Sequence, residues 1–301
     1  MKILVIGCKG FIGQHVWQYF TSDISKQCWG CDIVVDYTTK GYILLTEFDN
    51  DFNKIFQKYE FDVCINCSGA ASVADSFITP LRDFTLNTYN VAKILEAIRN
   101  YSPYCKFINL SSAAVYGNPI VLPINEYSNL KPLSPYGKHK VAAEEICKEY
   151  YKYFNLQTCT LRIFSAYGPG LKKQILWDIF QKSLSGNAIL LFGTGKETRD
   201  FIYISDIVDI INYVIIKGNF NASIYNVGNG EEVTISTLTL EFLKQLNYEG
   251  QVNFSMEERL GDPSNWKASI DNIINLGYRQ KVTLIEGVKN YITWLKEEKL
   301  V

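Results

Sequence analysis

Charge of one sign is what this chain has least of. Its 30 Lys and Arg residues almost balance 31 Asp and Glu, leaving a net charge of −1. No long run of either sign interrupts that balance, so there is no electrostatic ground for a nucleic-acid partner or a membrane surface. No apolar run reaches the roughly 18 residues that a membrane span needs. Met1 leads straight into an apolar strand without a signal-peptide pattern, and a cytoplasmic protein is expected. Internal repeats and low-complexity linkers are missing too. The eight cysteines include Cys28-x-x-Cys31 and Cys64-x-x-Cys67, which on paper resemble a four-thiolate zinc site. Turn residues are scarce between them, and both pairs lie in apolar runs that read as strands. Residues three apart on a strand face opposite sides, so neither pair converges on one ion. Reduced thiols packed as small hydrophobes are expected, with no metal.

What is present is an ordinary globular composition, 47% hydrophobic over 301 residues, enough for one or two domains. Lys2-Ile3-Leu4-Val5-Ile6 reads as a buried parallel strand. It runs into Gly7-Cys8-Lys9-Gly10-Phe11-Ile12-Gly13, and a helix follows. Glycines let the backbone approach a pyrophosphate, and the helix N-terminus offers free N–H groups and a positive dipole end. The spacing is G-x-x-G-x-x-G. Residues 28–32 read as a second strand ending in Asp32, which lies where a carboxylate would meet adenosine ribose hydroxyls and favour NAD over NADP. Lys9 pulls the other way, since an ammonium attracts a 2′-phosphate, so NADP stays open.

Further strands are expected at 61–67, 106–110 and 158–164, with helices at 81–99 and 136–154. The apolar face of the first helix is assigned to Leu81, Phe84, Val91, Leu95 and Ile98. Alternating strands and helices predict an α/β protein with a Rossmann-type doubly wound parallel sheet over residues 1–165. After residue 166 the rhythm loosens into a smaller α/β part over 166–301, with some of its segments returning to the first domain. Thr283-Leu284-Ile285-Glu286 is a capping box opening the last helix.

Ser134-Pro135-Tyr136-Gly137-Lys138-His139-Lys140 is the most informative stretch. Ser134 suits an N-cap and Pro135 the first helical position. Tyr136 and Lys140 then share one helical face. A nearby ammonium favours a phenolate, so this spacing suits a tyrosine that exchanges protons near neutral pH.

The ordered set of the glycine turn, Asp32, Asn87, Ser111-Ser112-Ala113-Ala114-Val115-Tyr116-Gly117, Tyr136-x-x-x-Lys140, Arg162-Ile163-Phe164-Ser165 and Arg199-Asp200-Phe201-Ile202-Tyr203 spans nearly the whole chain. It resembles the extended short-chain dehydrogenase/reductase family, in its group of nucleotide-sugar epimerases, dehydratases and ketoreductases. The resemblance implies that Gly7, Gly10, Phe11, Ile12 and Gly13 line the pyrophosphate. Cys67, Ser68, Gly69 and Ala71 would lie along the cofactor, with Asn87 fixing that wall. Ser112 and Tyr136 match the catalytic hydroxyl pair, and Lys140 the holder of the nicotinamide ribose. Ile163 and Phe164 would pass near the nicotinamide. Arg199, Arg259 and Asp262 match positions that hold the nucleotide diphosphate, and an arginine fork does suit phosphate oxygens.

The chain departs from the pattern in three places. Ala113-Ala114 replaces the Asp-Glu pair of dehydratases, which speaks against 4,6-dehydration. Ser165 stands where Asn is usual in the substrate site. Leu45 falls where an Asp contacting adenine is usual, with Glu47 or Asp49 as substitutes. The implied activity is redox at C4 of a nucleotide-diphosphate sugar, as an NAD-dependent C4 epimerase. The alternative is an NAD(P)H-dependent nucleotide-4-keto-sugar reductase using the same residues. A non-catalytic dinucleotide-sensing protein is the third reading, since a fold does not fix a function. Val141, Ile146, Cys147, Tyr150, Tyr151, Tyr153 and Phe154 cover more than one stripe of their helix. The resemblance accordingly implies a homodimer through the helices at 81–99 and 136–154.

Overall fold

Lys2–Ile6 forms β1, and its side chains alternate between two apolar layers: Ile3 and Val5 join one core cluster, Leu4 and Ile6 the other. Such continuous burial on both faces is what a central parallel strand requires. The computed structural model describes residues 1–46, 51–186, 188–257 and 260–300. In chain order the further strands are β2 (Gln27–Asp32), β3 (Tyr42–Leu44), β4 (Val63–Asn66), β5 (Lys106–Ser112), β6 (Thr158–Ile163), β7 (Ser165–Tyr167), β8 (Ala188–Leu191), β9 (Thr198–Arg199), β10 (Phe201–Tyr203), β11 (Asn221–Val227), β12 (Val233–Thr234) and β13 (Gln251–Phe254). Seven of them make one parallel sheet in the order β11-β6-β5-β4-β1-β2-β3. The strand order reverses between β1 and β4, so the C-terminal edges of these two strands open a crevice, the usual ligand position in a doubly wound fold.

One face of the sheet is covered by the helices Phe52–Lys58, Asn90–Tyr101 and Pro135–Phe154, the other by Phe11–Ser22 and Ile204–Lys217 among others. Residues 221–227 come from the later half of the chain, yet they form an edge strand of the large sheet. The rest of that half is built on three short pairs, β10 with β7, β12 with β9 and β13 with β8. The last helix, Leu284–Glu297, opens on a complete capping box: Glu286 N–H donates to Thr283 Oγ1 at 3.3 Å and Thr283 N–H to Glu286 Oε2 at 2.9 Å. Among the described residues no helix is long and apolar enough to cross a membrane.

The expected helix at 81–99 is not one continuous α-helix. An α-turn at Pro80–Phe84 passes into a π-helical turn at Thr85–Tyr89 and then into Asn90–Tyr101. A π-turn takes an extra residue, which offsets the face that comes before it from the face that follows. Val91, Leu95 and Ile98 are buried as expected and Asn87 is buried too, whereas Leu81 is 77% exposed and Asp83 turns inward instead.

The cysteine pairs separate as their strand positions dictate. Cys31 and Cys64 pack in the cluster under the Asn90–Tyr101 helix, while Cys28 and Cys67 pack against the opposite cluster. Burial pushes the Cys28 thiol up to about 12, and the Cys31, Cys64 and Cys67 thiols are also pushed up by burial, away from the thiolate that zinc requires. A chelator is expected to leave activity and melting temperature unchanged. Stoichiometric zinc in elemental analysis of the purified protein would contradict this.

Candidate functional site

The crevice is walled by glycine. Gly7 has φ +80°, and a Cβ there would sit 2.6 Å from the Ser68 nitrogen; a Cβ on Gly13 would sit 2.0 Å from the Gly7 carbonyl oxygen. Only glycine fits either place. Gly10 N-caps the Phe11–Ser22 helix without a side-chain cap, and the first turn carries no acid. Its opening N–H groups, at Phe11, Ile12 and Gly13, have no partner within the helix and suit an anion.

β4 delivers Cys67, Ser68 and Gly69 to the same opening. A Cβ on Gly69 would lie 2.4 Å from Asn87 Oδ1 and 3.5 Å from Lys140 Nζ, so three separate segments meet there. Ala71 follows in the partly exposed turn before the Val73–Ile78 helix. Asn87 is buried, and both polar atoms of its side chain lack a protein partner. An orphaned buried amide is costly unless a ligand meets it. Together the glycine cradle, the bare helix end and this amide fit a dinucleotide.

β5 ends at Ser112, opposite Ile163 of β6 in register. Ser112 Oγ accepts Ala114 N–H at 3.2 Å and caps a short 3₁₀ turn, Ala113–Val115. Ser134 caps the Pro135–Phe154 helix by accepting Gly137 N–H at 3.1 Å, with Pro135 at its start. Tyr136 and Lys140 are thereby turned inward, and both are buried. The Lys140 ammonium lies 5.9 Å from the Tyr136 ring centre and donates to the Leu110 carbonyl at 2.9 Å. Burial pushes the Tyr136 phenol up to about 12, against a hydrogen bond with Ser112 that favours the phenolate. Burial also pulls the Lys140 ammonium down to about 8, opposed by the negative Asp83 and Glu144. In the protein alone, then, it is Ser112 rather than the lysine that eases Tyr136 toward its phenolate. Desolvation outweighs a charge that has turned toward a carbonyl.

Asp32, at the end of β2, accepts the Lys9 N–H at 2.8 Å and the Ile33 N–H at 2.7 Å. Leu45 is buried, and its N–H donates to the Asp32 carbonyl at 2.8 Å. Glu47, Asp49 and Arg259 lie outside the described residues. Phe164 packs with Ala113, Val115, Tyr116 and Trp266, and Ile163 with the opposite core. Ser165 opens β7, its N–H bonded to the Asp200 carbonyl at 2.9 Å. The Arg199 guanidinium lies 5.5 Å from the Trp266 ring centre and donates to the Thr198 carbonyl at 2.8 Å. Burial lowers its pKa, while Asp262 and Glu197 nearby favour its charge.

Two groups escaped the sequence reasoning. Asp83 is buried, pairs with His139 Nδ1 at 2.6 Å, and keeps its other oxygen buried without a protein partner. Its charge favours the Lys140 ammonium and disfavours the Tyr136 phenolate. No motif marks it; only the π-turn brings it inward. Asp200, in contrast, sits inside a quoted motif but acts as a brace. Its two oxygens accept the N–H groups of Asn229, Gly230 and Ala268 at 2.7, 2.9 and 3.0 Å, tying three loops together.

The sequence profile of the NAD dependent epimerase/dehydratase family matches residues 3–228. The fold superposes on the UDP-glucuronic acid 4-epimerase of Bacillus cereus, solved with UDP-glucuronic acid and NAD. That match has a TM-score of 0.90 and 26% identity, and covers 99% of this chain and 100% of the other. The UDP-glucose 4-epimerase of Thermotoga maritima, solved with UDP-glucose, also gives a TM-score of 0.90, at 25% identity over 99% and 100% of the two chains. The dTDP-D-glucose 4,6-dehydratase of Bos taurus is 27% identical over 98% of this chain and 89% of its own.

Proposed function

The chain belongs to the NAD dependent epimerase/dehydratase family, and from that premise we propose that it is an NAD-dependent 4-epimerase of a nucleotide-diphosphate sugar. The observation that carries this reading is the convergence of Ser112, Tyr136 and Lys140 on the glycine-walled crevice, with Ala113 and Ala114 beside them where a dehydratase needs acids. Without a carboxylate pair at that point, water cannot be drawn from C5 and C6, and chemistry stays at C4. A bound NAD would supply hydride acceptance and return at C4, and a positive charge that favours the Tyr136 phenolate. Tyr136 accepts the proton of the 4-hydroxyl and later gives it back. Ser112 donates a hydrogen bond to the same oxygen, and Lys140 holds the cofactor ribose and supplies positive charge. Gly7, Gly10 and Gly13 would hold the pyrophosphate of NAD, and Asn87 would meet the cofactor with its unpartnered amide. Arg199 and Asp262 belong to the nucleotide-diphosphate end.

The test is to incubate the protein, loaded with NAD, with a panel of UDP- and dTDP-sugars and follow the sugar H4 by proton NMR. Epimer formation without net NADH is expected. Net consumption of NADH on a 4-keto sugar, with no epimer, would replace this reading by a reductase. Asp83→Asn is expected to move the alkaline limb of the kcat/KM profile to lower pH. Burial already pulls the Lys140 ammonium down to about 8, and without the Asp83 charge it loses its proton earlier. An unmoved limb would remove Asp83 from the account.

The assembly proposed is a homodimer through the paired helices. Asn90–Tyr101 and Pro135–Phe154 lie side by side, joined by a hydrogen bond from Tyr150 to Glu96 at 3.1 Å. Beyond that pairing, Leu81, Tyr89 and Tyr153, on these helices and on the turns that lead into them, are 77%, 54% and 64% exposed, an apolar surplus there. A closed twofold pairing covers such a face. Sedimentation equilibrium at micromolar protein is expected to give twice the 34.4 kDa chain mass, and Tyr89→Glu to halve it. Identical monomer masses for both proteins would remove the dimer.

A further inference from the structure

Lys9 stands in the middle of the glycine turn, beside the carboxylate that ends β2. Its main chain faces that carboxylate, with N–H to Asp32 Oδ2 at 2.8 Å. Its side chain leads elsewhere. The ammonium lies 2.6 Å from Asp36 Oδ2, over the rings of Trp17 and Tyr42 at 5.3 and 4.9 Å from their centres. Asp36 is itself anchored. Its Oδ1 accepts the N–H groups of Thr38 and Thr39 at 2.9 and 3.0 Å and the Thr38 hydroxyl at 3.0 Å, and its Oδ2 accepts the Thr39 hydroxyl at 2.7 Å. The carboxylate is therefore a fixed acceptor, and the lysine comes to it. Both side chains are mostly shielded, 27% and 13% exposed, so solvent and salt screen the pair less than a surface one. The rings of Trp17 and Tyr42 add cation–π attraction that helps hold the ammonium in this position.

We propose that Asp36 is a cofactor-specificity residue, which withdraws the only turn cation from the adenosine ribose and so keeps the site selective for a dinucleotide without a 2′-phosphate. This rests on the reading of the glycine turn as the dinucleotide site. A lysine in this turn would by itself favour NADP. Paired to Asp36 it contributes no net charge there, and the Asp32 carboxylate is left to repel a phosphate dianion unopposed. Selectivity on this account is built from three side chains, not from Asp32 alone.

The experiment is a calorimetric titration of NAD and NADP into nucleotide-free protein, for wild type and for Asp36→Asn, Lys9→Ala and the double variant. Asparagine keeps an oxygen for the Thr38 and Thr39 N–H groups, so the loop stays anchored. Wild type is expected to prefer NAD. Asp36→Asn should bind NADP about tenfold more tightly, as one freed ammonium meets the phosphate, with NAD affinity little changed. Lys9→Ala should change neither affinity much, and the double variant should lose the tenfold gain. A gain that persists in the double variant would overturn the proposal, since Asp36 would then act by its own repulsion. So would an unchanged NADP affinity in Asp36→Asn, while NAD binding upheld the dinucleotide site. A several-fold loss of NADP affinity in Lys9→Ala would equally overturn it, because the lysine would already be reaching the phosphate. That last arm needs no folded Asp36 variant. Binding of neither nucleotide by wild type would remove the dinucleotide reading and this proposal together.

Discussion

Tyr136→Phe is expected to lower turnover about 10²- to 10⁴-fold, the usual contribution of a positioned acid/base. The ring stays, so its packing and the start of its helix, set by Ser134 and Pro135, are kept. What goes is the hydroxyl that shares a hydrogen bond with Ser112. Cofactor affinity should stay near that of wild type, because the glycine turn and Asn87 are untouched. Ser112→Ala should cost less, since a hydrogen bond is lost and the proton acceptor remains. Single-turnover kinetics with bound NAD separate these effects from binding. A Tyr136→Phe protein retaining more than about a tenth of the wild-type rate would mean that another group carries the proton.

Why Tyr136 was legible from the sequence and Asp83 was not is a matter of range. A strand, a glycine turn and a helix start are set by neighbours within a few residues, and each leaves its mark there: Gly7 needs positive φ, and Ser134 meets Gly137 N–H three residues on. Alternation and the right-handed crossover rule narrow the order of strands without fixing it. Asp83 and Leu81 depend on the phase of their helix, and the π-turn at Thr85–Tyr89 changes it without a sequence signal. A strict 3.6-residue reading therefore assigns Leu81 to the core and leaves Asp83 outside. Asp36 belongs to the same class. It reads as a solvent-facing acid in a loop, and only the fold brings Lys9 to it across 27 residues. Such tertiary pairs are where local periodicity has nothing to say.

The largest stability effect is expected at Glu144, a charge that sequence rules would place in water. It is 1% exposed, in the middle of the Pro135–Phe154 helix, facing the sheet. Arg162 on β6, also 1% exposed, donates to both its oxygens, from Nε at 3.0 and 3.2 Å and from Nη2 at 2.7 Å. Ser111 Oγ donates to Glu144 Oε1 at 2.6 Å, while Arg162 Nη1 reaches the Tyr116 hydroxyl at 2.8 Å and the Glu126 carbonyl at 2.9 Å. Tyr116 passes the chain of bonds to Asn226 on the edge strand at 2.6 Å. Burial disfavours the Arg162 charge, but Glu144 outweighs it and holds the guanidinium pKa above its ordinary value. The network thus joins β5, β6, β11 and the Pro135–Phe154 helix that carries Tyr136. Glu144→Ala leaves a buried guanidinium without its counter-charge, and a loss of about 3–5 kcal/mol is expected. That is a large part of the roughly 5–15 kcal/mol that holds a typical domain folded. Glu144→Leu combined with Arg162→Met removes both charges and should cost less than Glu144→Ala alone, although Tyr116 and Ser111 then lose a partner. Urea unfolding of the three proteins decides it, read at the midpoint with slopes compared. A single variant that loses under about 1 kcal/mol would show that water reaches Arg162 and that the pair does not brace the Pro135–Phe154 helix.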